Sequence, residues 1–83
     1  MCHVYILYSE SKDRYYSGYT CQEVTIRLSQ HNDGWSRSTK SGIPWKIVYT
    51  ESYEGKSEAI KRENFIKRQK SRAFIESLIY SGE

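Results

Sequence analysis

The spacing of hydrophobic and polar positions divides the chain into short strands and helices. Residues 3–9 (HVYILYS) are apolar on both alternating sets of positions, which is typical of a central strand covered on both faces. Residues 14–19 (RYYSGY) follow a polar turn and predict a second strand, so residues 3–19 form a β-hairpin. Gly18 within this strand indicates a bulge, or a close approach by another backbone or a ligand. Residues 45–53 (WKIVYTESY) predict a third strand.

Three later segments have the apolar spacing of amphipathic helices, namely residues 22–31, 58–69 and 72–80. Thr20 is the candidate N-cap of the first helix, and Glu23 is expected in its first turn. The order of elements therefore predicts an α+β fold of the type β-β-α-β-α-α. We expect a small three-stranded antiparallel sheet flanked by three helices.

The last helix carries its own start and stop signals, because Ser71 precedes it as an N-cap and Gly82 fits a helix stop. The polar, glycine-containing segment 32–44 is predicted to be a loop. It is long for so small a domain, and such loops are often functional. With no repeat or linker in the sequence, residues 1–83 are expected to form a single domain.

Two of the predicted helices place polar residues where apolar residues are expected. Glu63 lies three residues from both Ile60 and Ile66 and shares their helix face. Arg27 and His31 lie on or beside the apolar stripe of the first helix. A buried charge without a partner costs several kcal/mol, so one interpretation is a buried Arg27–Glu63 ion pair. The interpretation that we favour is a polar cleft whose cation, carboxylate, imidazole and phenols suit a phosphate ester and a divalent metal.

Composition narrows the class of protein further. The net charge of +3 permits a polyanionic partner without requiring one, and basic residues concentrate in residues 61–72. Cys2 and Cys21 have no CxxC or metal-binding spacing, so a reducing cytosol is favoured over a disulfide scaffold. No apolar run approaches the roughly 20 residues of a membrane span, and the first residues do not have the pattern of a signal peptide.

Several short motifs resemble those of the GIY-YIG nuclease superfamily. In chain order they are HVY at 3–5, YSG at 16–18, RLSQHN at 27–32, SEAIKRE at 57–63 and IKRQKS at 66–71. Together they look like the small standalone excinuclease C-like proteins of the UPF0213 type. The first two motifs depart from the tripeptides that name the superfamily but keep Tyr5, Tyr16 and Gly18. Ser17 is expected to point away from the cleft, because neighbouring residues of a strand alternate between faces.

The resemblance implies a metal-dependent endonuclease that hydrolyses DNA phosphodiester bonds. Glu63 would bind a single Mg²⁺ or Mn²⁺ ion, Arg27 would hold the scissile phosphate, and Tyr5 and Tyr16 would line the cleft. One metal is favoured over two because Glu63 is the only acid placed there. Two candidates for the general base remain open. Tyr5 has an ordinary pKa of about 10 and needs nearby cations to lower it, whereas His31, at about 6.5, does not.

Basic residues beyond this cleft are candidate contacts to the DNA backbone. They are Arg37, Lys40, Lys61, Arg62, Lys67 and Lys70. The implied substrate is DNA, including branched or damaged DNA. The protein itself is expected in the cytoplasm, with a role in DNA repair or recombination. Relatives usually attach this domain to a separate DNA-recognition domain. Two alternatives therefore stay open: a nucleic-acid-binding module that does not cut, and a subunit that needs a protein partner to supply DNA recognition.

Overall fold

The computed structural model describes residues 1–81, which form three strands and four helices. The strands are β1 (Cys2–Ser9), β2 (Arg14–Thr20) and β3 (Trp45–Tyr53). The helices are α1 (Val24–Asn32), α2 (Arg37–Lys40), α3 (Lys56–Gln69) and α4 (Arg72–Ser81). The predicted α+β order is confirmed, and the single-turn helix α2 is an addition inside the segment expected to be a loop.

The start of α1 differs from the sequence prediction. The hydroxyl of Thr20 accepts a hydrogen bond from the backbone N–H of Gln22 at 3.1 Å, so it closes a turn before the helix instead of capping it. Glu23 takes the N-cap position with an extended backbone and is not inside the first turn. Both predictions were wrong because a side chain that can cap a helix can equally close the preceding turn.

The start of α4 agrees with the prediction, since the hydroxyl of Ser71 accepts a hydrogen bond from the backbone N–H of Phe74 at 3.1 Å. Gly82, the predicted stop, lies outside the described residues. At the start of α3, the backbone N–H of Gly55 donates to the carboxylate of Glu58 at 3.3 Å. No helix within residues 1–81 has the length and apolar character needed to cross a membrane.

The sheet has the strand order β2-β1-β3, and both pairings are antiparallel. β1 therefore lies in the centre, and its Val4, Ile6 and Leu7 are all 0% exposed. This is the doubly covered strand that the apolar pattern of residues 3–9 predicts.

The two faces of the sheet carry separate clusters of packed side chains. On one face Tyr5, Leu7 and Trp45 pack with apolar residues of α1, including Leu28. On the other face Val4 packs with residues of α3 and α4, whose contributions are Ala59, Ile66, Phe74, Ile75 and Leu78. The polar residues of the candidate site belong to the Tyr5 face and to its border with α3.

Cys2 and Cys21 form a disulfide, so the expectation that they stay unpaired is wrong. The hairpin register explains the pairing, because His3 lies opposite Thr20 and the next residue outward on each side is a cysteine. Sequence spacing alone did not reveal this, since it does not fix the register of a hairpin.

A network of polar side chains joins β3 to α3. Arg62 donates to both carboxylate oxygens of Glu51, with its Nε 2.9 Å from Oε1 and its Nη2 3.0 Å from Oε2. The hydroxyls of Tyr49 and Tyr53 donate to the same carboxylate at 2.5 and 2.6 Å. Burial opposes ionisation of Glu51, but the hydrogen bonds from Arg62 and the two phenols outweigh it and lower the pKa of Glu51. This network is a structural element that fastens α3 to the sheet.

We predict that the free energy of unfolding depends less on pH in the acidic range when Glu51 is replaced in the variant Glu51→Gln. A lowered folded-state pKa stabilises the protein above the unfolded value of 4.5, and this stabilisation is lost as the pH falls through the folded value. At neutral pH the variant should be less stable by about 1–3 kcal/mol. Urea unfolding between pH 2.5 and 7 checks this, with the exposed Glu54→Gln as the matched control. An equal loss of stability at acidic pH in both variants would contradict the prediction.

Candidate active site

Two tyrosines from neighbouring strands lie on the same face of the sheet. The register places Tyr5 opposite Gly18 and Leu7 opposite Tyr16, so both phenols project from the α1 side. Gly18 makes this arrangement sterically feasible. A Cβ atom at that position would lie 2.6 Å from Tyr5 Oη and 3.1 Å from Tyr16 Cε2. Gly18 is closely approached, as expected, but by the side-chain ring of Tyr5 and not by a backbone or a ligand, and β2 has no bulge against β1.

Ser17 lies between the two residues that face the site and is paired with Ile6. Because alternate residues of a strand point to opposite faces, its side chain is directed to the other side of the sheet. Replacing the usual apolar residue by serine therefore leaves the Tyr5 face intact, as the sequence predicts.

His31 of α1 is fully buried and joins Tyr5 to the one-turn helix α2. Its Nε2 lies 2.8 Å from Tyr5 Oη, and its Nδ1 lies 2.8 Å from Thr39 Oγ1. The rings of Tyr5 and Tyr16 meet the imidazole edge-on, at centroid distances of 5.9 and 5.2 Å. The ring of Trp45 lies beyond Tyr16 at 6.2 Å. The imidazole is thus enclosed by aromatic rings and hydrogen-bonded at both nitrogens.

Burial sets the protonation state of this pair. It raises the pKa of Tyr5 to about 12, and the nearby Arg27 guanidinium opposes the shift only in part. It lowers the pKa of His31 to about 4, and the positive charge of Arg27 acts in the same direction. At neutral pH the site therefore holds a neutral phenol beside a neutral imidazole. The lowering of the Tyr5 pKa that a phenolate base would need does not occur in the free protein.

Arg27 is half-buried on the face of α1 that meets the site. Its Nη1 donates to the side-chain oxygen of Gln30 at 2.9 Å. Within residues 1–81, no carboxylate lies within salt-bridge distance of its guanidinium. The structure therefore does not form the Arg27–Glu63 ion pair considered as the alternative, and the guanidinium faces the Tyr5 site with only a neutral partner.

Glu63 is buried on α3, and its counter-ion comes from the same helix. Lys67 Nζ lies 2.9 Å from Glu63 Oε2, with 49% of the lysine side chain and 11% of the glutamate side chain exposed. The same Nζ lies 5.8 Å from the centroid of the Tyr16 ring, which places the pair beside the tyrosines. The negative charge of Glu63 also contributes to raising the pKa of Tyr5, so the carboxylate acts on the same phenol as Arg27.

The site offers few protein ligands to a metal ion. Within residues 1–81, no group of three or more His, Cys, Asp or Glu side chains is arranged to hold a metal. Mg²⁺ commonly keeps several of its water ligands and binds through one or two carboxylates together with substrate phosphates. Glu63 is a buried carboxylate of this kind, and its counter-ion is a half-exposed lysine, Lys67. The residues present therefore fit one hydrated divalent ion and do not fit a two-metal centre.

The family assignment follows from comparison with known proteins. The chain matches the model of the GIY-YIG catalytic domain over residues 1–76. This chain belongs to the GIY-YIG family. The superfamily consists of nucleases, which generally depend on a divalent metal ion. The resemblance seen in the short motifs is thereby confirmed over nearly the whole chain.

Similar GIY-YIG proteins carry names that state no activity. A UPF0213 protein of Halobacterium salinarum is 43% identical over 79 residues, which cover 94% of this chain and 99% of the relative. A UPF0213 protein of Staphylococcus aureus is 45% identical over 64 residues, covering 72% of this chain and 77% of the relative. The solution NMR structure of a UPF0213 protein from Bacillus halodurans has a TM-score of 0.60 and 32% identity, and the match covers 96% of this chain and 84% of that one.

The predicted GIY-YIG site residues meet in one place, whereas the predicted DNA contacts are divided between α2 and α3 with its C-cap residue, Lys70. Five of these contacts are exposed, namely Arg37, Lys40, Lys61, Lys67 and Lys70. Arg62 is instead held by Glu51, so its guanidinium is not free to bind a phosphate. Lys67 belongs to the site itself as the partner of Glu63.

Sequence reasoning missed an open basic groove on α3, lined by Asn64, Lys67, Arg68 and Lys70. Only Lys67 and Lys70 were singled out beforehand. It also missed Thr39, because the residue lies in a segment predicted to be a loop and has no motif of its own. The groove could have been found from the spacing of Asn64, Lys67 and Arg68, because residues three and four apart on a helix lie on the same face.

We predict that Gly18→Ala destabilises the GIY-YIG fold by about 1–3 kcal/mol, because the new methyl group would overlap the Tyr5 ring. Gly55→Ala is the matched control, since a Cβ there would meet its nearest atom, Glu58 Oε1, at an ordinary 3.4 Å. Urea unfolding of both variants gives the comparison. Equal stabilities would show that the Tyr5 ring does not lie over Gly18.

We predict that His31 makes stability pH-dependent above the range of the carboxylates. The unfolded chain binds a proton on this residue below pH 6.5, whereas the folded chain does so only near pH 4. Stability should therefore fall as the pH decreases between these values, by about 3 kcal/mol in total. Unfolding experiments in this window should show the slope in wild type and His3→Gln, but not in His31→Gln. Protonation of His31 near pH 6.5, seen by NMR, would contradict the prediction.

Proposed function

We propose that this chain is a metal-dependent endonuclease that hydrolyses phosphodiester bonds of DNA. One observation carries the proposal. A guanidinium (Arg27) and a buried carboxylate (Glu63) both lie close enough to Tyr5 to influence the pKa of its phenol, yet they do not pair with each other. A stabilising ion pair would bring them together, whereas a site for a phosphate and a cation holds them apart.

In this proposal Glu63 would hold one Mg²⁺ or Mn²⁺ ion, and Lys67 would then move from the carboxylate to a nearby phosphate. The lysine is suited to this exchange because its side chain is long and half-exposed. When bound, the metal supplies positive charge that offsets the charge developing on the phosphoryl oxygens.

Arg27 donates hydrogen bonds to the scissile phosphate in the proposed reaction. Its guanidinium is always protonated and its planar set of N–H donors matches two phosphate oxygens at once. Because its partner in the free protein is the neutral amide of Gln30, little is lost when a phosphate takes that place. Tyr5 and Tyr16 form the wall of the site on the sheet side.

The general base is proposed to be the Tyr5–His31 pair rather than either residue alone. Tyr5 Oη accepts the proton of the attacking water while its own proton passes to His31 Nε2, 2.8 Å away. Tyr5 then stays a neutral phenol throughout, so its pKa of about 12 is no obstacle. Tyr5 is 1% exposed and His31 is 0% exposed, so the attacking water has to be one that binds inside the site with the phosphate, and its proton reaches the imidazole through the phenol. The negative charge of a bound phosphate favours the imidazolium that results.

The DNA backbone is proposed to follow the basic groove of α3 next to Glu63. Lys67, Arg68 and Lys70 line this groove and present positive charge to phosphates. With so few contacts, binding should be weak and strongly dependent on salt, which leaves room for a protein partner that supplies DNA recognition. A role in repair or recombination requires a preference for branched or damaged DNA.

We place the enzyme in the cytoplasm because its proposed substrate is DNA. The Cys2–Cys21 disulfide argues in the opposite direction, since such bonds are rare in reducing compartments. Alkylation of cysteines in freshly lysed cells, followed by mass spectrometry, measures which state is present.

We predict that Glu63→Gln abolishes metal-dependent cutting while leaving the fold intact. The assay is nicking of supercoiled plasmid and of a panel of branched and damaged DNA, with Mg²⁺, Mn²⁺ or a chelator. Wild type and the control Glu54→Gln should cut only with metal, and Glu63→Gln should be slower by on the order of 100-fold or more. Thermal unfolding first establishes that all three proteins are folded.

Other outcomes of this experiment have definite meanings. Equal residual cutting by all three proteins would indicate a contaminating nuclease and contradict the proposal. Equal DNA binding without cutting would favour the non-catalytic binding module. Cutting that begins only after a DNA-recognition protein is added would favour the partner-dependent subunit.

A further inference from the structure

Thr39 is the only neighbour that the structure gives to the outer nitrogen of His31 within residues 1–81. Its Oγ1 lies 2.8 Å from His31 Nδ1, on the opposite side of the imidazole from Tyr5. Thr39 is 0% exposed, so no bulk water competes for this contact. The three side chains Tyr5, His31 and Thr39 therefore form a continuous buried chain of hydrogen bonds.

The direction of this chain follows from the partners of Thr39. Its hydroxyl has an acceptor in the backbone carbonyl of Ser36 at 3.3 Å and donates its single proton there. Its oxygen can then only accept a hydrogen bond from His31, which places the imidazole proton on Nδ1. Nε2 is left with a lone pair directed at Tyr5 Oη, and the Tyr5 hydroxyl donates to it. The opposite tautomer would leave the Tyr5 proton without an acceptor among the described residues.

The backbone around Thr39 is held firmly enough to fix this geometry. The carbonyl of Thr39 accepts a hydrogen bond from the indole Nε1 of Trp45 at 2.7 Å. Trp45 is itself held to the end of α1, because Asn32 donates to its carbonyl at 3.1 Å and accepts from its N–H at 2.7 Å. Gly42 lies against the Trp45 ring, where a Cβ would overlap the indole. The segment that carries Thr39 is therefore held against Trp45, the first residue of β3.

We propose that Thr39 is a positioning residue that fixes the Nδ1–H tautomer of His31, so that Nε2 can take the proton of Tyr5 during hydrolysis. This inference rests on the proposed function for its effect on rate, but not for its effect on the tautomer. Thr39 itself touches no reacting atom. It acts as the orienting hydrogen-bond partners of other histidine bases do, by deciding which ring nitrogen is free.

The tautomer of His31 is tested first, because it needs no activity. Two-dimensional ¹⁵N NMR of the labelled protein at neutral pH distinguishes Nδ1–H from Nε2–H. Wild type and Thr39→Ser should show the Nδ1–H form, whereas Thr39→Val should show loss of this form or a mixture. Thr25→Val, on the exposed side of α1, is the control and should match wild type. An Nε2–H tautomer in wild type, or an unchanged tautomer in Thr39→Val, would overturn the proposal.

The effect on rate is then measured with the DNA that wild type cuts. We expect Thr39→Val to lower kcat on the order of 10- to 100-fold at unchanged KM and metal dependence, and Thr39→Ser to retain the rate. Thr39→Ala replaces Thr39→Val in both measurements if the latter does not fold. If Thr39→Val loses the tautomer while wild type keeps it but cuts no DNA, the positioning by Thr39 holds and the proposed function fails. Equal rates in Thr39→Ser and Thr39→Val would overturn the catalytic effect.

Discussion

The hydrogen bond between Tyr5 and His31 is the interaction on which the site depends. It lies between two side chains that are 1% and 0% exposed, and it joins the central strand to α1. Buried polar groups need partners, so each of these residues imposes a further requirement. Tyr5 needs the space left by Gly18, and His31 needs the hydroxyl of Thr39 at its other nitrogen. A strand, two helices and a glycine are thereby placed by one buried contact.

The structure uses the same types of charged residue in two different ways. On β3, the carboxylate of Glu51 accepts hydrogen bonds from Arg62 and from two phenols, and these contacts hold α3 against the sheet. Around Tyr5, Arg27 meets only a neutral amide, and Glu63 meets a half-exposed lysine. In the first arrangement the charged groups are already paired with each other and are not available to a ligand. The second keeps a guanidinium and a carboxylate available, which is the arrangement a phosphodiester and a metal ion require.

Much of the fold could be predicted from the sequence, because strands and helices arise from local periodicity. The doubly apolar residues 3–9 predicted a covered central strand, and Val4 and Tyr5 are indeed buried on opposite faces of β1. The polar residues within helical stripes predicted where Arg27, His31 and Glu63 would gather. The start of α1 was misjudged, because Thr20 closes a turn and the choice between turn and cap depends on the neighbouring backbone.

The order of the elements, the family and the set of polar residues that face the sheet can all be read from residue type and spacing along the chain. Which of these residues contact one another depends on how the strands and helices pack in three dimensions. The hairpin register brought Cys2 to Cys21, the packing of α3 on β3 gave Arg62 to Glu51, and the folded 32–44 segment brought Thr39 to His31. The physical reason is the same in each case. Partners that are distant along the chain are selected by register and packing, which no local pattern records.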